Sequence, residues 1–285
     1  MRKLSQCDAG VAEMRDICHE LKDMRYLNWA KTKHSSGTAG SFLKSYDDTG
    51  YIKKYYKLSD YAPGKGIVGH ECINEIIVQR LLGLLGIEHL EYRLIHAIVT
   101  IDDEEHETWL CESDDYKNKG ESKLALEDFY AAYRVSDETP FDFCVRMGWG
   151  DIICDMLVLD YLILNRDRHG ANIEVLRDRK SRKNRLSPLF DHGLSLMCRC
   201  RTEEDILNFN VMEDKRVQSF IGTNSALENL TIVPRDHIRN LINSHKMTDK
   251  TEDVLLTGIS EIMSEAFCHK IWEMISGRWN FLGSI

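Results

Sequence analysis

The sequence predicts a two-lobed α+β protein with strands in most of its front part and helices in most of its back. Two observations predict this class. Alternating strand-like runs joined by polar turns precede residue 115, and apolar residues at three- and four-residue steps follow it. With 285 residues, of which 43% are hydrophobic, the chain is long enough to bury a sizeable core.

We divide the chain into three parts that together make one domain. They are an N-terminal helical extension (1–30), an N-lobe (31–115) and a C-lobe (116–285). Ligands usually bind in the cleft between two lobes, so we expect the functional site there.

The N-lobe is predicted to be an antiparallel sheet with one main helix. Before it, residues 5–24 have apolar side chains at helical spacing and predict a short amphipathic helix. A small polar loop at 34–41 leads into a strand, turn and strand, and a second strand pair follows across an acidic turn. Between the pairs, an apolar periodicity ending at Gly86 predicts a helix. The strands are FLKSY (42–46), YIKKYYKL (51–58), RLIHAIVTI (93–101) and ETWLCES (107–113), and the helix spans 71–85.

Most of the C-lobe is predicted to be helical. The segment 151–165, DIICDMLVLDYLILN, is apolar on nearly every side, which predicts a helix buried in the centre of the lobe. Pro234 fits the first turn of another helix, and the apolar stripe of 252–275 predicts one long helix. The basic tract 177–185 is typical of the exposed turn of a β-hairpin.

Composition narrows the expected location and partners. The net charge is −9, so nothing global draws the protein to nucleic acid or anionic lipid. No apolar run approaches the ~18 residues that span a bilayer, and the N-terminus is too charged for a signal peptide. The nine cysteines, an odd number without a framework, are expected to be reduced thiols. We therefore predict a cytoplasmic protein without nucleic-acid or membrane partners, and the oligomeric state stays open.

Two short segments carry side chains suited to phosphoryl transfer. Asp167 and Asn172 lie in NRDRHGAN, directly after the buried helix, and Asp191 follows a second short apolar run. Phosphoryl transfer needs a carboxylate that orients the attacking hydroxyl and oxygen ligands for magnesium on the phosphates. Asp167 is suited to the first role, and Asn172 and Asp191 to the second. The alternative is ordinary turn chemistry, such as an Asx cap, at each of these positions.

The same segments resemble known kinases. DRHGAN, from Asp167 to Asn172, resembles the D-x-H-x-x-N catalytic loop of HipA-like kinases and the DRH-x-x-N loop of the phosphatidylinositol kinase group. Asp191-His192-Gly193 resembles their metal-binding Asp motif, and NEIIVQRL (74–81) resembles the HipA-like helix that carries a lysine-pairing Glu. The resemblance covers residues 35–275. It implies a bilobal protein-kinase-like fold that uses ATP and Mg²⁺, with Asp167 as the catalytic residue.

The resemblance also implies a lysine that binds the nucleotide phosphates and a glutamate that pairs with it. Lys53, Lys54 and Lys57 share one predicted strand, and alternation places Lys54 on the opposite face from the other two. We predict Lys57, whose Lys-Leu pair before a polar loop is similar to the lysine position of HipA-like kinases. Its predicted partner is Glu75, with Glu71 as the alternative.

Two further sets of residues are assigned to nucleotide binding. Ser36, Gly37 and Thr38 lie in the small polar loop, whose backbone N–H groups are expected to fold over the phosphates. Glu112 and Ser113 follow the strand TWLC and are predicted to form the hinge whose backbone meets adenine.

The two basic residues of the catalytic loop are given supporting roles. His169 is expected to brace the loop through a buried hydrogen bond, in preference to a contact with metal ligands or phosphate. Arg168 is expected to be a surface or loop-stabilising residue and not a phosphate clamp.

Together these features predict an ATP- and Mg²⁺-dependent phosphotransferase. The resemblance favours a Ser or Thr hydroxyl of an unidentified protein as the acceptor. A small-molecule or lipid kinase is the first alternative, because the DRH-x-x-N spelling also fits that group. A nucleotidyl transferase with ATP reversed and a nucleotide-binding pseudokinase that regulates a partner are the others.

Overall fold

The computed structural model describes residues 16–31 and 42–285, and it confirms a mixed α+β architecture. The N-lobe contains most of the strands and one long helix. In chain order its elements are β1 (Ile17–Asp23), β2 (Ala30–Lys31), β3 (Leu43–Asp47), β4 (Lys54–Leu58), β5 (Tyr61–Ala62), β6 (Gly66–Ile67), α1 (Glu71–Leu84), β7 (Tyr92–Ile101) and β8 (Glu104–Asp114).

One twisted sheet organises the N-lobe. Within the described residues it has six strands in the order β1-β7-β8-β4-β3-β2. Every neighbouring pair is antiparallel except β1 and β7, which run parallel with Ile17 opposite Leu94. One face of the sheet packs on α1, and the other is covered by Met24 and Leu27, which follow β1.

The helix α1 lies between the sheet and the C-lobe. Apolar residues occur on several of its sides, and twelve of its fourteen residues are buried. It packs against β4, β7 and β8 and also contacts a C-lobe helix near the end of the chain. Its end matches the prediction, because Gly86 adopts φ 67°, a left-handed conformation that glycine adopts without steric cost.

The C-lobe is mainly helical, as predicted, with short strands beside the site. Its elements are β9 (Glu121–Ala125), α2 (Leu126–Tyr133), α3 (Pro140–Arg146), α4 (Gly150–Leu162), β10 (Asp167–Arg168), β11 (Glu174–Asp178), β12 (Asn184–Leu186), α5 (Glu203–Leu207), β13 (Gln218–Ser219), α6 (Ala226–Asn229), α7 (Arg235–Ser244), α8 (Asp249–Leu256) and α9 (Glu265–Leu282). The predicted buried helix is α4, and the basic tract turns between β11 and β12.

Two predicted helices are wrong in part. Residues 17–23 of the predicted helical extension form β1 instead, because hydrogen bonding to the free edge of β7 outweighs the local helical periodicity. The remainder of that predicted helix, 5–15, lies outside the described residues. The helix predicted over 252–275 is divided between α8 and α9, because Gly258 adopts φ 73° between them and breaks the helical path.

No helix within the described ranges is both long enough and apolar enough to cross a bilayer.

Candidate active site

The loop between α4 and β11 carries the predicted catalytic residue. The chain leaves α4 through Leu164, whose φ of 50° reverses its direction, and then forms the short strand β10. β10 pairs in parallel with β13, which sets Asp167 beside Gln218. A 3₁₀ turn at Gly170–Asn172 follows. These backbone contacts fix the position of Asp167 at the start of the loop between α4 and β11.

A buried arginine anchors this loop from below. Arg168 is only 1% exposed and donates through Nε to Asp160 Oδ2 (3.0 Å) and through Nη2 to Asp160 Oδ1 (2.9 Å). Its Nη1 donates to the carbonyls of Asn172 (3.2 Å) and Phe190 (3.1 Å). The prediction that Arg168 stabilises the loop is confirmed, and the alternative surface position is wrong. The reason is Asp160, a carboxylate inside the apolar α4 that holds the guanidinium in the interior.

Asp167 and Asn172 face each other across the loop. Asn172 Nδ2 donates to the carbonyl oxygen of Asp167 at 2.7 Å, which leaves the Oδ1 atom of Asn172 available as an acceptor. His169 Nδ1 accepts from the N–H of Ala171 at 3.2 Å, and its Nε2 lies 3.7 Å from Asp167 Oδ1. These contacts agree with a bracing role for His169.

The pKa of Asp167 is raised above its usual value, first because the carboxyl group is largely removed from water. His169 opposes this shift, and the negative charge of Asp191 adds to it. Lys57 also acts to lower this pKa, so the charges of the neighbouring Asp191 and Lys57 both reach Asp167. A carboxylate with a raised pKa is a better proton acceptor than a freely solvated one.

A buried ion-pair network joins the two lobes where β4 and α1 meet the Asp191 turn, and we call this interlobe region the cleft. Lys57 Nζ on β4 lies 2.9 Å from Glu75 Oε1 on α1 and also contacts Asp191 Oδ1. Glu75 is fully buried and Lys57 is 8% exposed. The pairing of Lys57 with Glu75 is therefore present as predicted, and Lys57 lies on the face of β4 that points into the cleft.

The charges in this network shift one another's pKa values. Burial works to raise the pKa of Glu75, but Lys57 and hydrogen bonds from His192 hold it below its usual value. Burial also works against ionisation of Asp191, yet Lys57 and Lys44 keep its pKa well below the usual range. The pKa of Lys57 is well above normal, because its two carboxylate partners outweigh the burial that would lower it. All three groups are charged at neutral pH.

The turn that carries Asp191 is fixed against α1. Asp191 adopts φ 58°, which is uncommon for a residue with a side chain and recurs at functional sites. The next two N–H groups, of His192 and Gly193, donate to Glu75 at 2.8 and 3.0 Å. A Cβ atom at Gly193 would lie 3.0 Å from the Cβ of Glu71, so any larger residue here would push the turn and α1 apart.

The donor set at this position fits magnesium. Magnesium prefers oxygen ligands and is commonly bound by one or two protein groups together with phosphates and water. The carboxylate of Asp191 and the free Oδ1 of Asn172 are such oxygens, and Asn172 is oriented by its hydrogen bond to Asp167. These two residues would hold the metal, and this assignment stays a prediction.

The alternative lysines and the alternative glutamate are engaged elsewhere. Lys54 points to the opposite face of β4 and lies 3.0 Å from Glu112. Lys53 Nζ lies over the ring of Tyr46, 3.7 Å from its centroid. Glu71 is buried, where it accepts from the N–H of Asp60 (3.0 Å) and approaches Arg201 Nη2 at 3.5 Å.

The hinge prediction is contradicted at Glu112 and Ser113. Both lie inside β8, which pairs with β4 on one edge and β7 on the other, so their backbone polar groups are used in the sheet. The side chain of Glu112 is bound to Lys54 and Arg93 on the face away from the cleft. The chain leaves the sheet only after β8, in the connection 115–120.

The residues predicted for the phosphate loop, Ser36, Gly37 and Thr38, lie outside the described residues.

Several residues of the site were not found from the sequence. Asn74 Nδ2 donates to the carbonyls of Gly193 (3.0 Å) and Ser195 (3.1 Å) and so ties α1 to the Asp191 turn. Lys44 on β3 faces Asp191, with Nζ 3.9 Å from Oδ2. The sequence does hold one signal for the buried Arg168. Asp160 is an acid in the middle of the apolar run 156–164, and a buried charge requires a partner.

The architecture is that of a kinase-like fold, as comparison with solved structures shows. The proinflammatory kinase CtkA of Helicobacter pylori aligns over 92% of this chain and 96% of that chain, with a TM-score of 0.61 and 16% identity. HipA of Shewanella oneidensis MR-1, from a toxin–antitoxin complex with HipB and operator DNA, aligns over 88% of this chain and 66% of that chain. Its TM-score is 0.47 and its identity 13%. The sequence matches no protein-family model and no curated protein.

The similarity to CtkA confirms the predicted kinase-like fold and, at this identity, shows the fold alone. Membership of the HipA-like family stays a prediction. The activity therefore has to be argued from the site.

Proposed function

We propose that this protein is a kinase that transfers the γ-phosphoryl group of ATP to a hydroxyl acceptor in the presence of Mg²⁺. The observation that carries the proposal is the ion-pair network of Lys57, Glu75 and Asp191. The charges of Lys57 and Asp191 also act on the carboxyl group of Asp167. Burial of a lysine and two carboxylates costs free energy, because burial opposes each charge. Such groups occur preferentially at functional sites. Binding of a polyphosphate is a use that fits this geometry.

Each group has a distinct task in this reaction. Lys57, positioned by Glu75, contacts the phosphates of the nucleotide. Asp167 accepts the hydrogen bond of the acceptor hydroxyl and aligns its oxygen with the γ-phosphorus. Magnesium bound by Asn172 and Asp191 would neutralise phosphate charge. Arg168 takes no direct part in the transfer. It keeps the catalytic loop and the Asp191 turn at a fixed separation through its hydrogen bonds to Asn172 and Phe190.

The acceptor is proposed to be a Ser or Thr hydroxyl on a protein. The support is the resemblance of DRHGAN and Asp191-His192-Gly193 to HipA-like kinases. A small-molecule or lipid acceptor uses the same three site residues, so substrate trials should include both classes.

Incubation with γ-labelled and with α-labelled ATP tests the proposal. We expect transfer of the γ label to an acceptor, dependent on Mg²⁺ and lost in Asp167→Asn. Transfer of the α label would identify a nucleotidyl transferase. Binding of MgATP without any transfer or hydrolysis, over a broad set of acceptors, would favour a pseudokinase and contradict the proposal.

A further inference from the structure

A second lysine faces the cleft directly opposite Lys57. The register of β3 and β4 makes Lys44 and Lys57 a cross-strand pair, so both side chains project from the same face of the sheet. Like charges in directly opposite positions repel each other, and the sheet gains nothing from this arrangement by itself.

One carboxylate serves both lysines. Asp191 contacts Lys57 through Oδ1, and its Oδ2 lies 3.9 Å from Lys44 Nζ. Among the described side chains, Asp191 is the acidic group within ion-pair distance of Lys44, whereas Lys57 also has Glu75. Lys44 is the more accessible of the two, with 35% of its side chain exposed against 10% for Lys57.

Metal binding at Asp191 would change the ion pairs that this carboxylate makes with the two lysines. If Asp191 binds magnesium, as the proposed function requires, Lys57 keeps Glu75 as a partner but Lys44 loses its partner. Both ammonium groups lie beside Asp191, so phosphates bound there would offer each of them a negatively charged partner. The phosphates would replace Asp191 as the partner of Lys44.

The strand order indicates which phosphate Lys44 would meet. The chain leaves the sheet at the end of β8, and from there the order continues through β4 to β3. Neighbouring strands are about 4.8 Å apart, so Lys44 lies one strand farther from the β8 connection than Lys57 does. In a nucleotide whose base lies at that connection, the outermost phosphate is nearest to β3.

We propose that Lys44 is a second phosphate-contacting lysine that binds the terminal phosphate of the nucleotide triphosphate. This inference rests on the proposed function and adds a residue that distinguishes ATP from ADP. Lys57 contacts the phosphates of both ATP and ADP, whereas Lys44 contacts only ATP, which has a γ-phosphate.

Calorimetry with a non-transferable ATP analogue and with ADP, both with Mg²⁺, tests this role in the full chain. We expect Lys44→Met to weaken binding of the analogue by about ten-fold or more, the loss typical of one charge-assisted contact, and to leave ADP binding nearly unchanged. Lys44→Arg should retain most of the affinity. Lys65→Met, the same change at an exposed turn of the N-lobe, should have no effect. Without nucleotide, Lys44→Met should melt at nearly the wild-type temperature. The substitution removes both the repulsion from Lys57 and the long, partly exposed ion pair with Asp191, and an exposed ion pair contributes little to stability.

The outcomes separate this inference from the proposed function. If Lys57→Met weakens analogue binding and Lys44→Met does not, Lys44 has no phosphate role and the proposed function stands. If Lys44→Met lowers the melting temperature and weakens both nucleotides equally, Lys44 acts through the fold and the inference is overturned. If the wild type binds neither nucleotide, the inference and the proposed function both fail.

Discussion

Replacement of Glu75 by glutamine should reveal how strongly the two lobes depend on their shared ion-pair network. The carboxylate is fully buried and accepts hydrogen bonds from Lys57 Nζ (2.9 Å) and from the N–H groups of His192 (2.8 Å) and Gly193 (3.0 Å). Lys57 and Gly193 donate to Oε1 and His192 donates to Oε2. In Glu75→Gln, either orientation of the side-chain amide therefore places its NH₂ group next to a donor, which is left without an acceptor.

The expected loss follows from these contacts. Removal of one partner of a buried ion pair costs about 3–5 kcal/mol, and an unsatisfied buried N–H costs about 1–3 kcal/mol. Lys57 retains Asp191 in Glu75→Gln, which keeps the total loss at about 3–5 kcal/mol. At roughly 2 °C for each kcal/mol in a chain of this size, the melting temperature should fall by about 6–10 °C.

Urea unfolding followed by circular dichroism measures this change. Glu88→Gln is the matched control, because Glu88 is exposed just after α1 and its replacement should alter stability by less than about 0.5 kcal/mol. A loss below about 1 kcal/mol for Glu75→Gln would refute the reasoning. It would mean that the network does not hold the lobes together.

Three further predictions concern the same site. Because the pKa of Glu75 lies below its ordinary 4.5 in the folded state, its stabilisation is present above pH 4.5 and is lost as the pH falls through the lowered value. The stability gap between wild type and Glu75→Gln, measured by urea unfolding, should therefore narrow below pH 4.5, and a constant gap would contradict the lowered pKa. Gly193→Ala would bring a Cβ to 3.0 Å from the Cβ of Glu71 and 3.2 Å from its carbonyl oxygen. It should cost about 1–3 kcal/mol in thermal unfolding and weaken MgATP binding, whereas wild-type values for both would contradict the close approach. Asp167→Asn should fold normally, bind MgATP with unchanged affinity and lose about 10²–10⁴-fold in phosphoryl transfer, and near-wild-type turnover would exclude Asp167 as the catalytic residue.

Local patterns were sufficient for the elements that surround the cleft. The apolar spacing of 71–85 predicted α1 nearly to its observed end, and the apolar run 151–165 predicted the buried α4. Strand alternation also placed Lys57 and Lys54 on opposite faces of β4, as the structure has them. These features depend on residues close together in the sequence, which is why the sequence alone could predict them.

Contacts between distant residues account for what was missed. β1 forms a strand because it pairs with β7, which lies more than sixty positions later in the chain. The residues of β1 themselves do not indicate this partner. Lys44 enters the cleft only because the β3–β4 register aligns it with Lys57, and a shift of one residue would turn it to the other face. The hinge was misplaced because β8 extends to Asp114, which commits Glu112 to the sheet.

A crystal structure with a non-transferable ATP analogue and Mg²⁺ tests the central claim most directly. The account predicts a metal ion bound by Asn172 Oδ1 and the Asp191 carboxylate, with Lys57 Nζ on the phosphates and still paired with Glu75. It also predicts the γ-phosphate on the side of the cleft that Asp167 faces. A nucleotide bound elsewhere, or a metal held without Asn172 and Asp191, would contradict the proposed kinase site.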